Sequence, residues 1–434
     1  MAEMRWTKAQ EQVIKARNRS LLVSAAAGSG KTAVLVERII QMVTDPEHPV
    51  DIDRLLVMTF TNAAAAEMRE RIGDALEAKL EQNPGDRNLE RQTTLLHHAK
   101  ITTIDSFCLH LLREHFNELD IDPGFRIGDE GELLLLQADV MKELLEDYYG
   151  RNDEEFFRFV DTYASGKADD GLEDYILQVY RFSQSNPWPG EWMDHCREEI
   201  GGEDAGDPES FEKSSWMQFL IRDVKRQAAE FAEQLDAALE IACEEDGPQV
   251  YVPMLTEDQT NMERLAEADT YREIYRILDN LVFARLAAAR GKDIDPEKKE
   301  MVSGIRNQVK DAVKDMKKLY VPGDMGAMFL DMQACRKPIL MLLELTEEFE
   351  KRFRAAKRDK NLVDFNDLEH FALEILTGNS ADHGPGPVAD ELAKFYEEIL
   401  VDEYQDSNEV QEALIQAISR ERFGSPNVFM GGDV

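Results

Sequence analysis

Near the front of the chain, Ala25-Ala26-Ala27-Gly28-Ser29-Gly30-Lys31-Thr32 has the residue types and order needed to hold a string of phosphates. Glycines let the backbone approach an anion closely, and successive N–H groups leading into a helix N-terminus point at it. Lys31 supplies a cation for the β- and γ-phosphates, and Thr32 a hydroxyl for Mg²⁺. The general pattern opens with glycine, where this chain has Ala25. Far downstream, Asp402-Glu403-Tyr404-Gln405-Asp406 follows the apolar run Ile399-Leu400-Val401. A carboxylate at the C-terminal end of a buried strand faces the ligand crevice of a parallel sheet. Asp402 is placed to hold Mg²⁺ through water. Glu403 is placed to orient and deprotonate an attacking water, since phosphoryl transfer depends on positioning and charge neutralisation. The chain has 87 acidic residues, so an Asp-Glu pair alone means little; the apolar run before it and Gln-Asp after it set this one apart.

Such groups need a sheet to carry them. Leu21-Leu22-Val23, Leu55-Leu56-Val57-Met58 and Ile101-Thr102-Thr103-Ile104 read as strands, with helical composition over Thr32 to Val43 and Ala63 to Leu80. From about residue 120 the texture changes to i, i+3, i+4 apolar stripes, first at Leu136, Val140, Met141, Leu144, Leu145 and Tyr148, then over 215–245, 261–291 and 328–356. Asn186-Pro187-Trp188-Pro189-Gly190 reads as a loop among them. Strand-like runs return at Ile399-Leu400-Val401 and Val428-Phe429-Met430. The expected fold is α/β: a P-loop NTPase domain with a parallel sheet, residues 1–118 and 355–434, interrupted by a large all-helical insertion, 119–354. An insertion at an exposed loop is well tolerated.

Composition bounds the rest. No apolar stretch reaches the 18 residues of a membrane span. The polar Met1 to Gln12 lacks the apolar core of a signal peptide, so a cytoplasmic location and no membrane are expected. Cys108, Cys196, Cys243 and Cys335 form no CxxC pair, and the eight histidines form no metal-binding spacing. The formal charge of −37 argues against a chain that coats DNA unspecifically. The acid is concentrated in the middle: residues 1–118 carry 15 basic and 17 acidic groups, 119–354 carry 29 and 53, and 355–434 carry 6 and 17.

The order phosphate loop, Thr59-Phe60-Thr61-Asn62, Thr103-Ile104-Asp105-Ser106-Phe107, Asp402-Glu403-Tyr404-Gln405-Asp406, Gly431-Gly432-Asp433 resembles superfamily 1 helicases of the UvrD/Rep group. Thr59 to Ile72, Arg181 to Trp192 and Asp364 to Leu376 are similar, more finely, to the A subunit of AddAB-type helicase–nucleases, relatives of RecB. The resemblance implies a RecA-like ATPase lobe with ATP and Mg²⁺. It implies that Gln10 reads adenine, that Ala27, Gly28, Ser29, Gly30, Lys31 and Thr32 hold the phosphates, that Thr32 and Asp402 serve the metal, and that Lys31 and Glu403 are catalytic. It assigns Phe60, Thr61, Asn62, Ser106 and Phe107 to single-stranded DNA, and Gly432-Asp433 to coupling between nucleotide and strand. Relatives often carry His where this chain has Asp105, which weakens a direct DNA role there.

The residues themselves allow blander readings. Phe60 follows an apolar run and Phe107 opens an apolar helix, so either ring could be core. Gln10, Arg69 and Arg71 could be solvated surface. The resemblance further implies an AddB-like companion subunit, action on duplex ends and single strands in recombinational double-strand break repair, and a second lobe and nuclease domain outside these 434 residues. A polypeptide of these residues is then expected to bind ATP without unwinding DNA. Two other readings stay open: a regulatory ATPase with no DNA track, and a helical interaction protein whose acidic 119–354 region docks a partner.

Overall fold

The computed structural model describes residues 6–26, 28–119, 121–164, 170–201, 207–291, 294–378 and 382–433. Five short apolar runs form one parallel sheet: β1 (Leu21–Ser24), β2 (Leu55–Thr59), β3 (Lys100–Thr103), β6 (Glu398–Asp402) and β7 (Val428–Gly432), in the spatial order β1-β7-β6-β2-β3. The three inner strands are the most apolar, as burial on both faces requires. All five residues of β2 are buried, whereas the edge strand β1 alternates and leaves Leu22 exposed. Two core clusters flank the sheet. Leu35, Ile39, Met68, Ile72 and Leu76 pack on one side with Val57, Leu400 and Phe429; Phe107, Leu111, Leu112, Leu368, Ala372 and Leu414 pack on the other with Leu56, Met58, Ile399 and Val401.

Register brings the strand ends level. Ser24 lies beside Gly432, Gly431 beside Asp402, Met58 beside Val401 and Thr59 beside Thr103. Every strand therefore delivers the residues that follow it to one edge. A second, two-stranded parallel ladder joins β4 (Arg126–Ile127) to β5 (Leu362–Val363), tying the chain where it leaves the sheet region to where it returns.

The chain divides into two compact units. One comprises 1–147, 176–192 and 346–434; the other comprises 148–175 and 193–345. These borders differ from 118/119 and 354/355, because the helix Glu130–Arg151 begins in the first unit, and residues 176–192 and 346–354 belong there too.

Within the second unit the stripes become a three-helix seam. Helix Ser215–Cys243 buries Met217, Ile221, Val224, Ala228, Phe231, Leu235, Ala238 and Ala242, alternating steps of four and three. Helix Val252–Glu267 does the same with Leu255, Asp258, Met262 and Leu265, and helix Pro296–Tyr320 with Val302, Arg306, Val309, Val313 and Met316. That 3.5-residue spacing is the coiled-coil repeat. Its two polar members meet: Arg306 Nε donates to Asp258 Oδ2 at 2.6 Å, both side chains buried. Removing one partner would strand a buried charge, so the pair penalises shifted registers. The stripe expected over 261–291 is not one helix. It covers the end of Val252–Glu267, the helix Tyr271–Asn280 and a non-helical stretch, 281–291, whose Ala284 carbonyl accepts from Arg306 Nη2 at 2.7 Å.

Candidate active site

The loop after β1 turns into helix Lys31–Val43 through two residues in the left-handed region, Gly28 at φ +76° and Gly30 at φ +85°. A side chain at either position would be strained. Ala27 lies outside the described residues. Ser29 N–H donates back to Ala26 O at 3.1 Å, closing the turn. Lys31 Nζ donates to Ala25 O at 2.9 Å and pairs with the Asp433 carboxylate, just past β7. The ammonium is thus held over the loop by the loop's own carbonyls.

Gln10 belongs to helix Lys8–Lys15 and completes a capping box with Thr7: Thr7 N–H donates to Gln10 Oε1 at 2.9 Å, and Gln10 N–H to Thr7 Oγ1 at 3.3 Å. Gln10 Nε2 donates to Ser29 O at 3.2 Å. The amide keeps one N–H and one lone pair free, a donor–acceptor pair that matches the edge of a purine base. Gln10 is therefore not a freely solvated surface residue, since its side chain bridges a helix to the phosphate loop.

Asp402 ends β6, and Glu403 follows at φ +60°, left-handed although it is not glycine. Such residues cost free energy and concentrate at functional sites. The turn redirects the chain into a 3₁₀ segment, Tyr404–Asp406, and puts Gln405 against Gly432; Asp433 N–H donates to Gln405 Oε1 at 3.0 Å. Burial pushes the Asp402 carboxyl above its usual range, with repulsion from Glu403 adding to it and Lys31 and Arg71 opposing it.

Two cavities share Lys31 and Asp402. One, of about 350 Å³, is lined by Gly28, Gly30, Thr32, Arg71, Glu403, Gln405 and Asp433 besides the shared pair. The other, of about 490 Å³, is largely apolar and includes Gln10, Val13, Leu22, Val34 and Phe429. Phosphate and metal groups suit the first, and a base the second. For Mg²⁺, the Thr32 hydroxyl and the Asp402 carboxylate offer the hard oxygen donors it prefers, with room for water and phosphate oxygens to complete its shell.

At the ends of β2 and β3 the neighbouring residues start two helices. Thr61 caps Asn62–Gln82, its Oγ1 accepting from Ala64 N–H at 3.1 Å, and Thr103 caps Ile104–His115, accepting from Ser106 N–H at 3.2 Å and donating to Ser106 Oγ at 2.8 Å. Two helix N-termini thus follow adjacent strands; the one after β2 has no acid in its first turn and is the better placed to attract an anion, whereas the one after β3 carries Asp105. Phe60, Thr61 and Asn62 are exposed there, Phe60 by 59%, and Ser106 is half-buried. Phe107 is 3% exposed and packs in the core with Leu111 and Leu112, so its ring has no free face for a base. Asp105 is half-buried, and burial raises its carboxyl above the usual range.

Arg69 is no solvated arginine. It donates to Leu96 O at 2.8 Å, Ile101 O at 3.0 Å and Ala99 O at 3.2 Å, fastening the helix after β2 to the start of β3. Arg71 instead lines the phosphate cavity. Arg71 is also exposed and paired with Glu67 one turn away, as a solvated helix face would have it, so sequence reading missed the anchoring role of Arg69 and the position of Arg71 at the cavity rim. Their spacing of two on one helix was the available signal, because residues two apart point to different faces.

Residues 6–434 match the UvrD/REP helicase N-terminal domain. The chain is 46% identical over 440 residues to the A subunit of the ATP-dependent helicase/nuclease of Lachnoclostridium phytofermentans, covering 100% of this chain and 32% of that protein. It is 43% identical over 438 residues to the protein of the same name in Acetivibrio thermocellus, with 99% and 35% covered, and 40% identical over 439 residues to that of Clostridium beijerinckii, with 100% and 35%. The chain spans about a third of the length of these relatives. A level strand edge that gathers a phosphate loop, a strand-end Asp-Glu and two capped helix starts is what this match leads one to expect, and the chain belongs to the UvrD/REP helicase family.

Proposed function

We propose that this chain is the ATP- and single-stranded-DNA-binding front part of one chain of an ATP-dependent DNA helicase/nuclease. The observation that carries the reading is the level edge of the parallel sheet, where the residues after β1, β6 and β7 gather around Lys31 and Asp402 and those after β2 and β3 begin two capped helices, with Phe60, Thr61 and Asn62 exposed. In this reading residues 1–118 and 355–434 form the ATPase lobe and 119–354 the helical insertion.

The roles follow from the chemistry of each group. Backbone N–H groups from Gly28 to Thr32 hold the phosphates, and Lys31 neutralises charge that develops on the γ-phosphate. Bound Mg²⁺ would neutralise more of that charge, with Thr32 and Asp402 as its protein donors. Glu403 accepts the proton of the attacking water. Gln10 offers its free donor and acceptor to adenine, and Arg71 adds a second cation from within the lobe. Phe60 presents a ring face to any base, while Thr61, Asn62 and Ser106 contact backbone phosphates.

In the complete protein, hydrolysis drives translocation and unwinding of DNA in the cytoplasm, at duplex ends during break repair, alongside an AddB-like companion. A polypeptide limited to these 434 residues binds Mg-ATP but does not step along DNA, because stepping needs two lobes that close and open around the nucleotide. The reading is tested by calorimetry of Mg-ATP binding. Lys31→Ala is expected to weaken it at least tenfold, about 1.4 kcal/mol. Equal affinities would remove the phosphate-loop assignment.

A further inference from the structure

Arg38 is among the largest side chains wholly removed from solvent, at 1% exposure, and none of the roles above uses it. It sits seven residues after Lys31 on the same helix, roughly 10 Å from the phosphate loop. Its Nε donates to Glu398 Oε1 at 2.6 Å, at the start of the strand that ends in Asp402. Its Nη1 donates to Val13 O at 2.5 Å, on the helix that carries Gln10. Its guanidinium lies 5.4 Å from the ring centre of Phe429, on the strand that leads to Gly432 and Asp433. One buried cation thus joins its own helix to the three other segments that supply the nucleotide site, while standing outside that site.

We propose that Arg38 is a positioning residue that sets the placement of Gln10, and so the preference for adenine over guanine, through its bond to the Val13 carbonyl. This rests on the adenine-reading role of Gln10. A planar guanidinium can serve Glu398 and Val13 at once because its donors form a rigid fork, which an ammonium cannot reproduce. The phosphate loop has its own supports: the left-handed glycines, the Ser29–Ala26 turn and the Lys31–Ala25 bond. The Gln10 helix is held at its far end by Arg38. Loss of Arg38 therefore affects base selection before phosphate binding.

The test compares the unaltered protein with Arg38→Met/Glu398→Met, Arg38→Lys and Gln10→Ala. Replacing a buried ion pair by apolar side chains of similar volume often preserves stability. Dissociation constants for fluorescent ATP and GTP, and for inorganic tripolyphosphate by competition, are measured beside thermal unfolding. The double variant is expected to unfold cooperatively and bind tripolyphosphate within about twofold of the unaltered protein. Its ATP-over-GTP preference should fall at least fivefold, toward that of Gln10→Ala. Should the double variant not fold, Arg38→Lys, which keeps a cation for Glu398, is expected to lose preference in the same direction. A folded Arg38 variant with full preference, when Gln10→Ala has lost it, overturns the inference. Full preference in Gln10→Ala overturns the adenine reading itself and the inference with it.

Discussion

The ammonium of Lys31 is engaged on one side by the Ala25 carbonyl and on the other by the carboxylate of Asp433, more than 400 residues away in sequence. The cation assigned to the γ-phosphate is thus paired to an acid that a nucleotide must displace. Asp433→Asn should free it and tighten Mg-ATP binding severalfold, since a part-exposed ion pair is worth up to about 1 kcal/mol. Calorimetry of the variant decides this; unchanged or weaker binding would mean that Asp433 does not compete for Lys31.

The two phenylalanines of the DNA motifs should part company. Phe60→Ala is expected to cost roughly 1–3 kcal/mol in single-strand affinity with little change in melting temperature. Phe107→Ala empties a core position and should cost about 3–5 kcal/mol of stability. Fluorescence titration and thermal unfolding of both variants check the pair. A loss of stability in Phe60→Ala with affinity retained would place that ring in the core instead.

Glu403 holds a left-handed conformation that glycine adopts without strain. Glu403→Gly should therefore be more stable than Glu403→Ala by about 1 kcal/mol, while both lose hydrolysis in the complete protein. Denaturant titration measures the difference. Equal stabilities would mean the turn relaxes when the carboxylate is gone.

Glu369 bears on pH. Burial raises its carboxyl above the ordinary value of 4.5; hydrogen bonds from Gln411 and Asn408 oppose the shift, and Asp105 reinforces it. The folded state then binds the proton better than the unfolded state, so this group makes stability fall as pH rises from 4.5 through the folded value. Glu369→Gln should remove that contribution and make the slope of stability against pH less negative over this range. Identical slopes, measured by urea unfolding at several pH values, would count against a buried, proton-binding Glu369.

What was legible in the sequence was whatever local pattern controls. Apolar runs marked the five main strands within a residue or two, and the glycines and lysine marked the loop, because backbone conformation and side-chain type act at the same place. Pairings across the chain were legible only where motifs carried them, as for Thr32 and Asp402. Nothing near Arg38 in sequence announces Glu398 or Val13, and nothing near Lys31 announces Asp433; the register of a crossed sheet brings them together. The non-helical stretch 281–291 was not legible either. Its alanine-rich composition favours helix, yet the stretch is non-helical, with Leu281, Phe283, Leu286 and Ala289 packed on the core of the second unit and the Ala284 carbonyl accepting from Arg306. Phe60 and Phe107 were both ambiguous, since one follows a strand and the other starts a helix. Only the packing of the sheet face separates an exposed ring from a buried one.

The strand order has a consequence for the protein's birth. β6 and β7 lie between β1 and β2, yet nearly 300 residues separate the end of β3 from the start of β6. On a ribosome adding about 5–20 residues per second, the three early strands wait roughly 15–60 s for their central neighbours. During that interval the apolar Leu55–Thr59 has only β3 to pair with, and its opposite edge is open to any passing strand. Nascent chains should therefore depend on chaperone shielding of this edge until residue 432 has emerged, and the seam of the second unit, whose partners are nearer in sequence, should fold first.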